Sequence, residues 1–235
     1  MQAMTIKPIL FSTEMVRSIL EGRKTVTRRV MKPQPAGRPE RMREGSCWPG
    51  YFASVDDERV YRPPYHPGDI LWVRETWQAV YETEWSEDKP YTGRNIRELI
   101  PNFDSIQKVE AGISQECSST AMKPRMKYFV FKASDIKYAN NKNRLVWRPS
   151  IHMPKAAARI FLRVTAVRVE RLREMVLADV LMEGIQEQRA YEDTWDLWHQ
   201  TWDSTIKPAD RTTYGWKENP WVWVINFERA KEIRL

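Results

Sequence analysis

Cysteine and histidine are scarce in this chain of 235 residues, and neither occurs in a pattern that holds a metal. The two cysteines, Cys47 and Cys117, are far apart and lack the CxxC spacing of zinc and redox sites, so a reducing compartment is expected. The three histidines, His66, His152 and His199, are scattered and carry no local signature of a zinc site or a serine-histidine triad. A chemistry without metal or cofactor follows as the expectation. No apolar run approaches the roughly 20 residues that span a bilayer, and the N-terminus shows no charged-then-apolar signal pattern. A soluble, cytoplasmic protein with no membrane partner is therefore expected. Internal repeats and low-complexity tracts are missing too, which excludes a solenoid or a long disordered tail.

Positive charge and tryptophan are plentiful. Lysine and arginine total 38 against 31 acidic residues, a formal charge of +7 with a pI near 9.4. Neutralising phosphates releases counterions, so such a balance favours a polyanionic partner, nucleic acid or a nucleotide-like ligand. The length suits one large domain, or one domain with a big insertion, better than two equal ones. Eleven tryptophans are available either to stack on bases or to fill a core. Trp195, Trp198 and Trp202 recur at helical spacing and read as packing. Trp48 stands in a proline-rich loop, where it can close over a pocket.

The densest chemistry lies in Gly22-Arg23-Lys24-Thr25-Val26-Thr27-Arg28-Arg29. Its β-branched residues predict a strand over 25–30. Period-two alternation then sends Thr25, Thr27 and Arg29 to one face and Val26, Arg28 and Val30 to the other, with Lys24 at the strand entrance. An amine, a hydroxyl and a guanidinium converging this way can grip an anion or polarise a carbonyl once a carboxylate completes the set. Glu183, followed by Gly184, is the best candidate for that carboxylate. The plain alternative is a solvated basic strand with threonines chosen for β propensity and a surface helix carboxylate.

Upstream, Ile9-Leu10-Phe11 reads as a short strand. Ser12 or Thr13 can cap a helix with Met15, Val16, Ile19 and Leu20 on its apolar side, ended by Gly22. Residues 32–67, rich in proline, glycine and charge, read as an extended excursion that Gly68-Asp69 turns back into a strand over 70–77. Residues 78–125 are polar and weakly periodic and read as an insertion. Tyr128-Phe129-Val130-Phe131 predicts a strand, followed by a polar loop at 140–143. A long strand is expected over 158–170, helices over 173–182 and 191–202, and a last strand over 221–227.

The run from Leu20 to Arg29 resembles the first-strand signature of the ASCH family, a branch of the PUA-like superfamily. Gly68-Asp69-Ile70-Leu71-Trp72-Val73-Arg74-Glu75 is similar to that family's turn and following strand. Val164-Thr165-Ala166, Leu172, Ala178-Asp179 and Glu183-Gly184-Ile185 follow in the family's order. The likeness covers residues 5–31, 66–77 and 157–187. With Ile151-His152-Met153-Pro154 and Asn219-Pro220-Trp221-Val222-Trp223-Val224, the chain looks like the longer ASCH proteins carried by phages and prophages. The resemblance implies an α+β fold over 1–235, a PUA-like mixed β-barrel with flanking helices, a large insertion at about 78–125 and a helical embellishment at about 188–216. It also places Trp72, Arg74, Glu75 and Trp77 on a strand lining the ligand cleft, as substrate-binding residues beside Thr25, Arg28 and Arg29.

ASCH proteins include small amidohydrolases that deacetylate N4-acetylcytidine, and their catalytic lysine, threonine and glutamate correspond by motif to Lys24, Thr27 and Glu183. The chain departs from those enzymes in its greater length and in Arg28, which replaces an apolar residue. In the implied chemistry a partly neutral Lys24 takes the proton of Thr27 as it attacks an amide carbonyl, or a charged Lys24 stabilises the oxyanion, opposite demands on one amine. Glu183 serves as general acid/base. The implied partner is a modified nucleoside or single-stranded RNA. Two other functions stay open at this point: a noncatalytic RNA or modified-base binding module, and a ribonuclease acting on a 2′-hydroxyl, which lacks a histidine pair. A purely structural phage protein has no use for the lysine and threonine pattern.

Overall fold

A computed structural model describes residues 5–81, 115–118, 125–134 and 147–230. The architecture is mixed α+β, with several sheets and few helices. Most of the expected insertion at 78–125 and the polar loop at 140–143 lie outside the described residues. The chain divides into two compact units, Met1–Lys7, Ser18–Leu71 and Leu162–Leu235 forming the first, and Pro8–Arg17 with Trp72–Phe161 the second.

One sheet has five strands, β1 (Ile6–Leu10), β2 (Val26–Val30), β6 (Ile70–Arg74), β10 (Phe161–Arg171) and β11 (Trp221–Arg229), in the order β1-β6-β10-β11-β2. β10 pairs antiparallel with β11 through Arg168↔Val224 and Glu170↔Val222, and β11 pairs antiparallel with β2 through Val224↔Arg28 and Ile225↔Thr27. A barrel was the expectation, but β1 and β2 stand at opposite ends of the order, so no sheet closes among the described residues. Residues 32–67 do more than wander. They build a second sheet, β3 (Glu40–Arg41), β4 (Phe52–Ser54) and β5 (Arg59–Tyr61), whose strands of two or three residues are too short to display an alternating pattern in the sequence.

Three helices of the first unit follow β10: α2 (Leu177–Met182), α3 (Tyr191–Thr205) and α4 (Arg211–Tyr214). The sheet face bearing Val26, Val222 and Val224 packs with Leu172, Met175, Val180, Trp198 and Trp202 in one buried cluster. The tryptophan spacing in α3 is thus the signature of a packed face, and Trp198 and Trp202 are its centre. No helix among the described residues is long and apolar enough to cross a membrane.

The second unit holds a three-stranded sheet in the order β7-β9-β8, from β7 (Trp77–Tyr81), β8 (Gln115–Ser118) and β9 (Arg125–Phe131). The single strand expected over 70–77 is two strands, broken at Glu75 and Thr76. Trp77, Phe129, Phe131, Met153 and Ala157 form its core.

Asp69 secures the start of β6 in the first unit. Its carboxylate accepts hydrogen bonds from the Thr5 hydroxyl at 2.6 Å, the Lys7 ammonium at 2.9 Å and the backbone N–H groups of Thr5 and His66. Burial alone raises the pKa of this carboxyl, but those donors outweigh it and hold the pKa below the ordinary 3.8. The stabilisation is therefore full above the ordinary carboxyl range and fades as pH falls through the depressed value. Asp69→Ala is expected to cost about 2 to 4 kcal/mol in urea unfolding near neutral pH. A cost below about 0.5 kcal/mol would remove Asp69 from this role.

Candidate functional site

The signature begins where α1 (Thr13–Leu20) ends. Gly22 adopts φ 78°, its N–H donates to the Ile19 carbonyl and the Arg23 N–H donates to the Ser18 carbonyl, the paired bonds of a Schellman cap. This stop delivers Lys24 and β2 to the end of α2. Three successive carbonyls at that helix end then find donors from the signature: Met182 accepts from the Thr25 N–H at 2.9 Å, Glu183 from Lys24 Nζ at 2.9 Å, and Gly184 from Ser18 Oγ at 3.0 Å and from Arg23 Nη1. Gly184 has φ 91°, and a Cβ there would lie 2.6 Å from Ser18 Cβ and 2.9 Å from Lys24 Cβ. Only glycine lets the two segments approach this closely.

Lys24, Arg28 and Glu183 are buried, with fractional exposures of 2%, 4% and 5%. Lys24 Nζ lies 2.5 Å from Glu183 Oε2. The other Glu183 oxygen, Oε1, is 3.3 Å from Arg28 Nη1. Arg28 Nε donates to Glu170 Oε1 at 2.8 Å, and its Nη2 makes ionic contacts with Glu170 at 2.7 Å and Asp179 at 3.2 Å. Arg168 closes the outer side, contacting Glu170, Asp179 and the Asn226 amide oxygen. Three cations thus interleave with three carboxylates on the helix-covered face of the sheet.

Burial lowers the pKa of Lys24 below its ordinary value; Glu183 opposes that shift, and Arg29 and Arg28 add to it. Burial also opposes the charge on Arg28, but Glu183, Glu170 and Asp179 outweigh it and raise its pKa. The carboxylates therefore reinforce the charge on Arg28, whereas burial works against the charge on Lys24.

The strand alternates as expected. Arg28 shares the helix-covered face with Val26 and Val30, while Thr27 and Arg29 face the other way, opposite Ile225 and Trp223 in register. Thr27 is buried at 2% exposure and Thr25 is exposed. Arg29 has its pKa lowered by burial, with Tyr65 and Glu183 opposing the shift. Glu183 therefore acts electrostatically on Lys24, Arg28 and Arg29 together.

The four residues expected on the cleft strand belong to the second unit, where each has partners of its own. Glu75 forms a two-pronged ion pair with Arg159 at 2.8 and 2.9 Å, and Arg159 lies over Phe131. Arg74 donates to the carbonyls of Ser150 and Ile151 and its guanidinium sits 5.4 Å from the Trp72 ring. Trp77 is buried against Phe129.

Sequence reasoning missed Glu170, Asp179 and Arg168. A signal for two of them exists: Arg168 and Glu170, two apart in a strand, share a face and carry opposite charge. Beside the cluster, Arg23, Leu181, Met182, Ile185, Gln186 and Glu187 line an open groove of about 550 Å³.

Gly184→Ala must combine an unfavourable φ with a clash at Ser18 and Lys24, for an expected loss of about 2 to 4 kcal/mol. At Gly22 a Cβ meets nothing within 4 Å, so Gly22→Ala should cost only about 1 kcal/mol. Thermal unfolding of the two variants checks this order, and equal losses would deny the close approach at Gly184.

Comparison of the chain with protein-family models, with curated proteins and with solved structures found no match.

Proposed function

We propose that this protein is a PUA-like, ASCH-type amidohydrolase that cleaves the linear amide of an N-acylated nucleoside base such as N4-acetylcytidine. The observation that carries this reading is the buried Lys24–Glu183 contact at 2.5 Å, on the segment that also bears Thr27. Burial lowers the pKa of the Lys24 amine and so favours the neutral form, which can accept a proton. The placement of α1 between β1 and β2 in a mixed sheet supports the PUA-like assignment.

In the proposed sequence Thr27 Oγ, on the face of β2 away from Arg28, adds to the acyl carbon and its proton passes to Lys24 Nζ at the strand entrance. The proton then goes to the leaving nitrogen as the C–N bond breaks, releasing the free base amine and leaving an ester on Thr27. Water opens that ester while Glu183 takes up its proton, and the carboxylic acid leaves as Thr27 regains its hydrogen. Water and amide are consumed, acid and amine are made, and no oxidant is needed. A noncatalytic binding module is the second reading, favoured by the ion pairs that Arg28 and Lys24 already make with carboxylates.

The test incubates the protein with N4-acetylcytidine and related N-acylated nucleosides and follows cytidine by chromatography. Lys24→Ala, Thr27→Ala and Glu183→Ala, checked for folding by circular dichroism, are each expected to lose at least ~100-fold in kcat/KM. Because only the neutral amine accepts the proton, kcat/KM should rise with pH and level off above a pKa lower than the ordinary 10.5 of lysine. An absence of release at high enzyme concentration sinks the amidohydrolase reading for these substrates.

A further inference from the structure

The loop between β3 and β4 carries an aromatic ladder that the lysine chemistry does not use. Trp48 is 53% exposed. Its ring centroid lies 5.7 Å from that of Tyr51, and Tyr51 lies 6.1 Å from the buried ring of His66. The rings are tilted by 46° and 42° to one another, and about half of the Trp48 surface stays open to solvent. A tryptophan half exposed at a loop tip adds little to burial, and a packing role alone needs only the inner two rings.

The ladder is held firmly from within. The Met42 N–H donates to the Tyr51 carbonyl at 2.8 Å and the Tyr51 N–H donates to the Trp48 carbonyl at 3.2 Å, with Gly50 between them at φ 79°. His66 Nε2 is buried without a hydrogen-bond partner among the described residues. Arg41 and Arg62 are both exposed. Arg41 immediately precedes Met42 and pairs with Phe52, and Arg62 follows Tyr61, which pairs with Phe52 from the other side, so both arginines lie on or next to the strands that adjoin the ladder. Burial and Lys7 lower the pKa of His66, Asp69 opposes them, and Arg62 and Arg41 add to the lowering. Next in the chain, Tyr65 interacts electrostatically with Arg29, and Arg29 with Glu183.

We propose that Trp48 and Tyr51, rimmed by Arg41 and Arg62, form a stacking platform that holds one or two bases of a single-stranded nucleic acid outside the Lys24–Glu183 cluster. Exposed aromatic faces take any base, and neighbouring cations take the phosphates between them. The overall charge of +7 fits the same partner. Turnover at Lys24 is not required for this binding.

Fluorescence anisotropy of fluorescein-labelled ten-nucleotide oligouridylate and oligodeoxythymidylate, titrated at several KCl concentrations, tests the platform. Trp48→Ala is expected to weaken binding by about 5- to 100-fold at an unchanged salt slope, and Trp48→Phe to keep most of the affinity. Arg62→Gln should reduce the slope of log K against log salt by about 0.7. Equal affinity for both strands supports base stacking alone, and a preference for RNA supports stacking with an added 2′-hydroxyl contact. Unchanged affinity in Trp48→Ala, or no binding by the parent protein up to millimolar concentrations, overturns the inference. So does a parent dimer that Trp48→Ala dissociates in sedimentation while oligonucleotide affinity stays the same, because Trp48 then serves a protein contact. Nucleoside hydrolysis without oligonucleotide binding overturns the platform and not the amidohydrolase reading; Trp48-dependent binding without hydrolysis does the reverse.

Discussion

The carboxylate of Glu183 holds two buried cations, Lys24 on one oxygen and Arg28 on the other, and the first unit is organised around that arrangement. Removing such charges from water costs several kcal/mol per ion, so they tolerate burial only where geometry supplies every partner. Those partners come from three places in the chain: Arg28 from β2, Glu170 from β10, and Asp179 with Glu183 from α2 and its end. In the sheet order β11 lies between β2 and β10. Arg28 must therefore reach across a strand, past Val224, to meet Glu170. Two strand spacings amount to roughly 10 Å, a span that two long side chains bridge and shorter ones do not. The guanidinium also offers its nitrogens to three carboxylates at once, which an ammonium does not do in this fork.

The same cluster explains why the turn after α2 has its sequence. Helix ends leave carbonyls without partners, and here Thr25, Lys24, Ser18 and Arg23 supply the donors. Lys24 has two duties, one to the Glu183 backbone and one to its side chain. Helix position and carboxylate orientation are thus set by one amine, with Gly184 providing the space.

Local rules made much of this legible in the sequence. The alternation of Thr27 and Arg29 against Val26 and Arg28, the stop at Gly22, the turn at Gly68-Asp69 and the packed tryptophans of α3 follow from strand period, glycine conformation and helical spacing. The expected strand over 158–170 is Phe161–Arg171, and the expected helix over 173–182 begins only at Leu177, after a short 3-10 turn at Leu172–Glu174. What stayed hidden is nonlocal. The pairing of Arg28 with Glu170 spans 142 positions and depends on which strand separates β2 from β10. The sheet of β3, β4 and β5 escaped notice because strands of two or three residues offer too few positions to show a period. Arg28 itself was visible as a departure from an apolar position, but its carboxylate partners were not.

Lys24 is tuned from both faces of one strand. Arg28 acts on it from the helix-covered side and Arg29 from the side of Tyr65, and each disfavours its charge, while Glu183 favours it. Desolvation is the largest influence and sets the net direction toward the neutral amine. Lys24 Nζ and Glu183 Oε2 lie 2.5 Å apart, so the carboxylate favours the ammonium against burial and the two arginines. Holding the proton is made unfavourable by burial and the two arginines, and receiving it is eased by Glu183. Arg28, whose charge its carboxylates reinforce, keeps the cluster assembled in either protonation state of its neighbour.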